Sequence, residues 1–129
     1  MAMHELMVMA CGAVCRAVAA LANAAPTVLW GLVVTAVIRV CVGSATVAGL
    51  TAAGILAPVV ASGGADPNLM VLAIGAGSLF CSHVNDAAFW LFKEYFNVSI
   101  GDALKTWTVM ETIVSVVGLA GVLVLARII

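Results

Sequence analysis

Residues 79–90, with the sequence LFCSHVNDAAFW, place three strongly polar side chains inside a chain that is otherwise nearly all apolar. His83, Asn85 and Asp86 have apolar runs on both sides. An ionisable group at bilayer depth costs several kcal/mol unless it faces a partner or water. The segment therefore favours a membrane protein with a pathway for a solute or an ion over a soluble fold.

Composition supports the same conclusion. Of the 129 residues, 65% are hydrophobic and 9% are charged, whereas about a quarter of the residues of a soluble domain are charged. A net charge of −1 gives no basic surface for nucleic acid. A spanning helix needs about 20 residues, so we expect an all-α integral membrane chain with about four to five transmembrane or re-entrant helices in a lipid bilayer.

Glycine, proline and polar residues divide the chain into hydrophobic segments. The predicted helices are 6–22, 27–42, 45–61, 69–82, 87–96 and 107–126, with a turn at 62–68 and a charged loop at 93–105. Small residues at four-residue spacing in 45–61, together with Gly118 and Gly121, predict close helix packing. The two short helices on either side of residues 82–86 predict a re-entrant hairpin or a broken helix, which is tolerated at membrane depth where protein or a water-filled cavity covers it.

The string RVCVGSATVAGLT, residues 39–51, contains the first candidate site. A helix break at Gly43 and Ser44 would expose backbone N–H groups and the hydroxyls of Ser44 and Thr46. A helix N-terminus binds anions, and the Arg39 guanidinium fits a carboxylate, so this string predicts a carboxylate site. Alternatively, Arg39 extends to the lipid headgroups and the hydroxyls bond to backbone carbonyls.

Ser82, His83, Asn85 and Asp86 form the second candidate site. In a helix, His83 and Asp86 would share a face at i,i+3, and such a pair can take up and release a proton near neutral pH. Asn85 can donate to and accept from substrate hydroxyls. Alternatively, His83 and Asp86 cap helix ends, with Asp86 as the N-cap of a helix that starts at Ala87.

Other classes of function find little support. One His and one Asp are too few for a metal site, and no phosphate loop or nucleophile–base–acid arrangement is present, so we expect no cofactor, no metal and no enzyme. Glu111, one turn into the last predicted span, either lies at the membrane interface or takes part in a proton relay.

Three strings carry a resemblance to a known family: RVCVGSATVAGLTAAGILAP, LAIGAGSLFCSHVNDAAFWLFKEYF and ALKTWTVMETIVSVVGL. Together they strongly resemble the C-terminal part of the gluconate permease (GntP) family. The resemblance covers residues 25–127 and is weak before them. We therefore divide the chain into a poorly matching hydrophobic segment, 1–24, and a permease C-terminal transmembrane region, 25–129.

The resemblance implies a multi-pass protein of the bacterial inner membrane that moves gluconate or a related sugar acid by proton symport. It also implies an ion-transporter-like repeat with broken helices, in which residues 43–46 and 82–86 are the two pore-lining breaks. The substrate-binding residues would be Arg39, Ser44, Thr46, Ser82 and Asn85, and the proton-coupling residues His83 and Asp86.

Two departures from the family pattern affect these expectations. A full permease is roughly three times longer, since such transporters use two repeats around one site, so we expect the chain to act with itself or with the missing repeats. Val42 stands where the family usually has a polar residue, often Gln, before the glycine. The alternative is a truncated, non-transporting small membrane protein that only packs or oligomerises.

Overall fold

The computed structural model describes residues 26–128, and that part of the chain is all-helical, as predicted. The helices are α1 (Pro26–Val42), α2 (Ala45–Ala61), α3 (Pro67–Ser78), α4 (Ala87–Tyr95), α5 (Ile100–Ala103) and α6 (Val109–Ile128). A π-helical turn, Leu104–Thr108, joins α5 to α6, so that Ile100–Ile128 forms one helix of 29 residues. The predicted helix at 6–22 lies outside the described residues.

Helices α2, α3 and α4 each begin behind a side chain that accepts a hydrogen bond from a backbone N–H of the first turn. These N-caps are Ser44, Asp66 and Asp86. Such caps satisfy N–H groups that have no partner inside the helix. Because the signal is local, the predicted bounds 45–61 and 87–96 agree with α2 and α4 to within a residue.

α1 and α2 form an antiparallel hairpin. The Cδ1 atom of Leu56, near the end of α2, lies 3.7 Å from the position that a Cβ on Gly31, near the start of α1, would occupy. The break at Gly43 and Ser44 therefore reverses the chain. α3 runs parallel to α1, since Met70 lies against Gly31 and Gly77 lies against Thr35 further along both helices.

α6 runs antiparallel to α3. The Ser115 hydroxyl donates to the Ala76 carbonyl over 2.7 Å, while Trp107 of the π-turn contacts Ser82 beyond the end of α3. The main apolar core lies between α1, α3 and α6 and consists of Val28, Leu29, Leu32, Leu69, Ala73, Ala76, Leu119, Val122 and Leu123. A second cluster, Ala52, Leu56, Met70 and Ile74, joins α2 to α3.

Small residues let these helices approach closely at Gly118, which was a predicted packing position, and at Gly77, which was not. A Cβ on Gly77 would lie 2.6 Å from the Leu32 carbonyl oxygen, and one on Gly118 would lie 3.2 Å from the Cβ of Ala76. Gly121 has no such neighbour within 4 Å among the described residues. Among residues 26–128, the predicted packing face is therefore present at Gly118, and Gly121 has no neighbour to pack against.

The predicted charged loop at 93–105 and the predicted start of the last span at 107 are wrong, because the helix begins at Ile100. Ser99 explains the earlier start. Its hydroxyl accepts from the Asp102 N–H over 3.2 Å and donates to the Asp102 carboxylate over 2.6 Å. Ser99 is thus the N-cap that starts the helix inside the charged stretch.

The predicted helix at 69–82 is also shorter in the structure, since α3 ends at Ser78. Beyond it, Cys81 adopts a left-handed backbone conformation with φ 50°. This conformation is incompatible with a continuing right-handed helix.

Within the described part of the chain, Ile100–Ile128 is the one helix that is long and apolar enough to cross a membrane by itself. Three shorter apolar helices accompany it: Thr27–Val42, Ala45–Ala61 and Pro67–Ser78. Large apolar side chains are exposed on the helices, among them Leu50 at 71%, Val71 at 68% and Val117 at 64%. Exposed apolar surface on this scale is typical of a chain that contacts lipid or further protein segments.

Candidate functional site

The two predicted breaks meet at one end of the helix bundle. Gly43, at the tip of the α1–α2 hairpin, has φ +80°, and a Cβ there would overlap the backbone carbonyl of Asn85. The Asn85 side-chain amide donates to the Val40 carbonyl over 2.7 Å. The two candidate sites found in sequence are therefore parts of a single site.

A buried ion pair lies at the centre of this site. Arg39, in the last turn of α1, is 2% exposed, and its Nη2 donates to Oδ2 of Asp86 over 2.5 Å. The Ser82 hydroxyl donates to the same oxygen, and the Ala88 N–H donates to Oδ1 over 3.0 Å. Asp86 is thus both an ion-pair partner and the N-cap of α4, a combination that favours its charged form.

Helix ends add to the electrostatics of the pair. Arg39 lies at the C-terminus of α1 and Asp86 at the N-terminus of α4. A cation is stabilised at a helix C-terminus and an anion at an N-terminus, so both charges lie where the helix dipoles favour them.

Most of the Arg39 guanidinium has no hydrogen-bond partner in the part of the chain that the structure describes. Its Nε and Nη1 are buried and make no hydrogen bond with any described residue. A guanidinium carries five N–H donors, and a buried donor that stays unsatisfied costs about 1–3 kcal/mol, more when it is charged. The N–H groups on Nε and Nη1 are therefore without an acceptor among residues 26–128.

Trp107 supports the ion pair from the far side and was not identified from sequence. Its indole N–H donates to the Ser82 hydroxyl over 2.8 Å, which in turn donates to Asp86. The Trp107 ring packs on Phe92 of α4, with centroids 5.2 Å apart. The π-helical turn that contains Trp107 is a common feature of functional sites, but periodicity does not show such a turn in a sequence.

The structure places the remaining predicted site residues at the edge of this cluster. The half-buried Ser44 caps α2, with its hydroxyl 3.4 Å from the Val47 nitrogen, and Thr46 is exposed. The Nδ1 atom of His83 lies 2.8 Å from the Cys81 carbonyl oxygen. Residues 79–86 are not helical, so the i,i+3 argument that placed His83 beside Asp86 does not apply.

One further carboxylate belongs to the surroundings of the site. Glu111 of α6 is half-buried and interacts electrostatically with both Arg39 and Asp86. Among residues 26–128, no three or more His, Cys, Asp or Glu side chains are grouped so that they could hold a metal ion.

Comparison with known proteins identifies the family. The family model described as GntP family permease matches residues 4–129. The high-affinity gluconate transporter of Escherichia coli K12 is 56% identical over 96 residues, which cover 74% of this chain and 22% of that protein. The Gnt-II system L-idonate transporter of the same organism is 59% identical over 90 residues, covering 70% of this chain and 20% of that protein.

A gluconate permease of Pseudomonas aeruginosa is 57% identical over 100 residues, which cover 77% of this chain and 22% of that protein. The matched part of this chain thus spans about a fifth of the length of these curated relatives. No solved structure matches the chain. The family model and the relatives together show that this chain belongs to the GntP family of permeases, a membership that points to a membrane transporter rather than an enzyme.

Proposed function

We propose that this chain moves gluconate or a related sugar acid by proton symport, as a GntP-type permease or a segment of one, in the bacterial inner membrane. The names of its relatives, gluconate and L-idonate transporters, support the substrate class. The observation that carries the proposal is the buried Arg39 guanidinium with Nε and Nη1 unpaired among the described residues. A sugar acid brings one carboxylate, the group that a guanidinium binds best.

In this proposal Asp86 holds the guanidinium through Nη2, and the substrate carboxylate accepts hydrogen bonds from the remaining N–H groups. Ser44 caps α2, so the positive end of the α2 dipole lies at the hairpin tip, and in this proposal the Ser44 and Thr46 hydroxyls contact the substrate there. Ser82 fixes the Asp86 carboxylate, and Asn85 holds the two breaks together through Val40. Asn85 is exposed and its amide can also contact substrate hydroxyls.

The sequence assigns proton coupling to His83 and Asp86. Ion pairing with Arg39 and two further hydrogen bonds stabilise Asp86 as a carboxylate. The geometry thus favours an anchoring role for Asp86. His83, with one ring nitrogen bound to the Cys81 carbonyl, remains in the proposal as a group at the edge of the site.

The transport proposal is tested by uptake of labelled gluconate into cells that lack their own gluconate permeases and express this chain. Uptake that a protonophore abolishes is the expected result. Absence of uptake, with the protein confirmed in the membrane, would contradict transport by this chain and would favour the non-transporting alternative.

The role of Arg39 is tested by Arg39→Lys, which keeps the charge near Asp86 but removes the planar set of donors. We expect the Kd for gluconate to rise about 10- to 100-fold, since one charged hydrogen bond contributes about 1.5–3 kcal/mol. Gluconate binding to the purified protein in lipid nanodiscs provides the measurement. The matched control is Arg127→Lys at the exposed end of α6, which should leave the Kd unchanged.

A charge swap separates ligand binding from structural support. The double variant Arg39→Asp with Asp86→Arg keeps an ion pair between the same two positions. If Arg39 serves only the fold, the folded variant should bind gluconate normally, although the loss of the Asp86 cap and the reversed helix-dipole interactions lower its unfolding temperature. The proposal instead expects a folded protein that has lost gluconate binding.

A further inference from the structure

A stripe of three polar residues runs along one face of the long helix. Trp107, Glu111 and Ser115 follow each other at four-residue spacing and therefore share a side of the helix. Trp107 bonds to Ser82 and Ser115 bonds to the Ala76 carbonyl. Glu111, between them, accordingly faces the end of α3 and the break that follows it. Its electrostatic interaction with Arg39 and Asp86 agrees with this placement.

Glu111 and Asp86 are two carboxylates of one site that differ in their hydrogen bonding. Asp86 accepts hydrogen bonds from Arg39, Ser82 and the Ala88 N–H. Glu111 is half-buried, and among the described residues it has neither a hydrogen bond nor an ion pair. When two neighbouring titratable groups differ in this way, the supported group stays charged and the unsupported group is the one that exchanges a proton.

We propose that Glu111 binds the co-transported proton and that a substrate carboxylate at Arg39 drives its protonation; this inference rests on the function proposed above. The Arg39–Asp86 pair is neutral, so an ionised Glu111 gives the cluster one net negative charge. A substrate carboxylate would add a second negative charge. Addition of a proton to a carboxylate oxygen of Glu111 restores the original balance, and release of both ligands on the other side of the membrane reverses the step.

The other charged groups on the neighbouring elements are paired, exposed to solvent or distant from Glu111. On α4, Lys93 pairs with Glu94 over 2.7 Å. On the long helix itself, Asp102 bonds to Ser99, Lys105 is exposed, and Arg127 lies at the opposite end. α3 contributes no ionisable side chain, and His83 in the break is engaged with Cys81. The charges that bear on Glu111 from neighbouring elements are therefore Arg39 and Asp86.

The test is the number of protons that the purified chain takes up per gluconate bound. Titration calorimetry on the protein in lipid nanodiscs, repeated in buffers of different ionisation heat, gives this number. For the native chain we expect close to one proton, and an affinity that tightens up to ~10-fold for each unit that the pH falls. Glu111→Gln should bind gluconate with an affinity independent of pH and without proton uptake.

Two control variants accompany this experiment. Glu94→Gln removes an exposed carboxylate from α4 and should keep the native proton uptake and pH dependence. Glu111→Asp keeps a carboxyl group in place and should retain proton uptake, which covers the case in which Glu111→Gln does not fold.

Undiminished proton uptake in Glu111→Gln would overturn the role of Glu111 and leave the transport proposal standing. If neither the native chain nor any variant binds gluconate, the transport proposal fails and this inference fails with it. A substrate-independent measurement is the infrared absorption of protonated carboxyl groups in the native chain near neutral pH, where the exposed Asp and Glu side chains are ionised and Glu111 should contribute a separate band. Loss of this band in Glu111→Gln is expected, and its persistence there would contradict the proposal.

Discussion

Gly43 and Gly63 share a backbone conformation but differ in their surroundings. Both have a positive φ, +80° at Gly43 and +76° at Gly63. An alanine in this left-handed region costs about 1–2 kcal/mol at either position. Gly43 is pressed against Asn85, whereas nothing described lies within 4 Å of a Cβ on Gly63. The contact between the two breaks therefore requires a residue without a Cβ atom at position 43.

We predict that Gly43→Ala lowers the free energy of unfolding more than Gly63→Ala does, by about a further 1–3 kcal/mol for the overlap with Asn85. Chemical unfolding of each purified variant in detergent gives the comparison. Because Gly63→Ala carries the same backbone strain without the overlap, it is the matched control. Equal losses in the two variants would mean that the breaks do not meet at Gly43.

At the scale of helices, α1 and α3 approach so closely that backbone meets backbone. Gly77 of α3 lies against the Leu32 carbonyl and the Thr35 side chain. Thr35 is fully buried, and its hydroxyl donates to the Gly31 carbonyl over 2.7 Å, so this crossing leaves that polar group satisfied. The crossing fixes the position of α3 along the axis of α1. The segment that follows α3 then places Asp86 beside Arg39.

For this crossing we expect Gly77→Ala to destabilise the protein by about 1–3 kcal/mol and to weaken gluconate binding, because the added methyl group would push the two helices apart. Gly75→Ala, two residues earlier on the same helix, meets nothing within 4 Å in the described structure. It should be neutral, or stabilising by up to about 1 kcal/mol through helix propensity. Thermal unfolding and the Kd of both variants provide the measurement, and a Gly75→Ala variant as damaged as Gly77→Ala would contradict the argument.

Helix limits could be predicted from sequence wherever a cap residue determines them. Ser44 and Asp86 act within three residues of their own position, so local pattern was sufficient for α2 and α4. The S-x-x-D spacing of Ser99 and Asp102 is a signal of the same local kind, since Ser99 accepts from the Asp102 N–H as the N-cap of the helix that starts at Ile100.

The centre of the site could not be predicted in this way. Arg39 and Asp86 are 47 positions apart, and Trp107 is 25 positions from Ser82. Such contacts depend on how whole helices pack, and periodicity contains no information on them. Each polar residue can be identified in the sequence because it interrupts an apolar run, but the sequence does not show which residue it contacts.

Considered as a whole, the described chain carries its largest exposed apolar side chains on the outward faces of several helices. Val117 on α6 is 64% exposed, whereas Ser115, two residues earlier, is buried against α3. The turn 62–64, in contrast, exposes small and polar residues. A membrane chain of this kind should present the first surface to lipid and the second to water.

Spin labels on single cysteines in an otherwise cysteine-free chain test this arrangement in lipid vesicles. We predict that a label at Val117→Cys relaxes strongly with oxygen, which concentrates in lipid, and weakly with a water-soluble nickel reagent. A label at Ser62→Cys should show the reverse. Strong relaxation of the Val117→Cys label by the nickel reagent would place this face in water and contradict the membrane arrangement.

The separation of Arg39 from Asp86 has a consequence for biogenesis. The ribosome adds about 5–20 residues per second, so the 47 positions between them take about 2–10 s to synthesise. During that interval α1 carries a guanidinium whose counter-ion does not yet exist. An unpaired arginine disfavours insertion by about 2.5–3.5 kcal/mol at a helix centre and by less in a last turn such as that of α1. The α1–α2 hairpin should therefore remain beside the translocon or a membrane chaperone until α3 and α4 have been made, and enter the bilayer together with them.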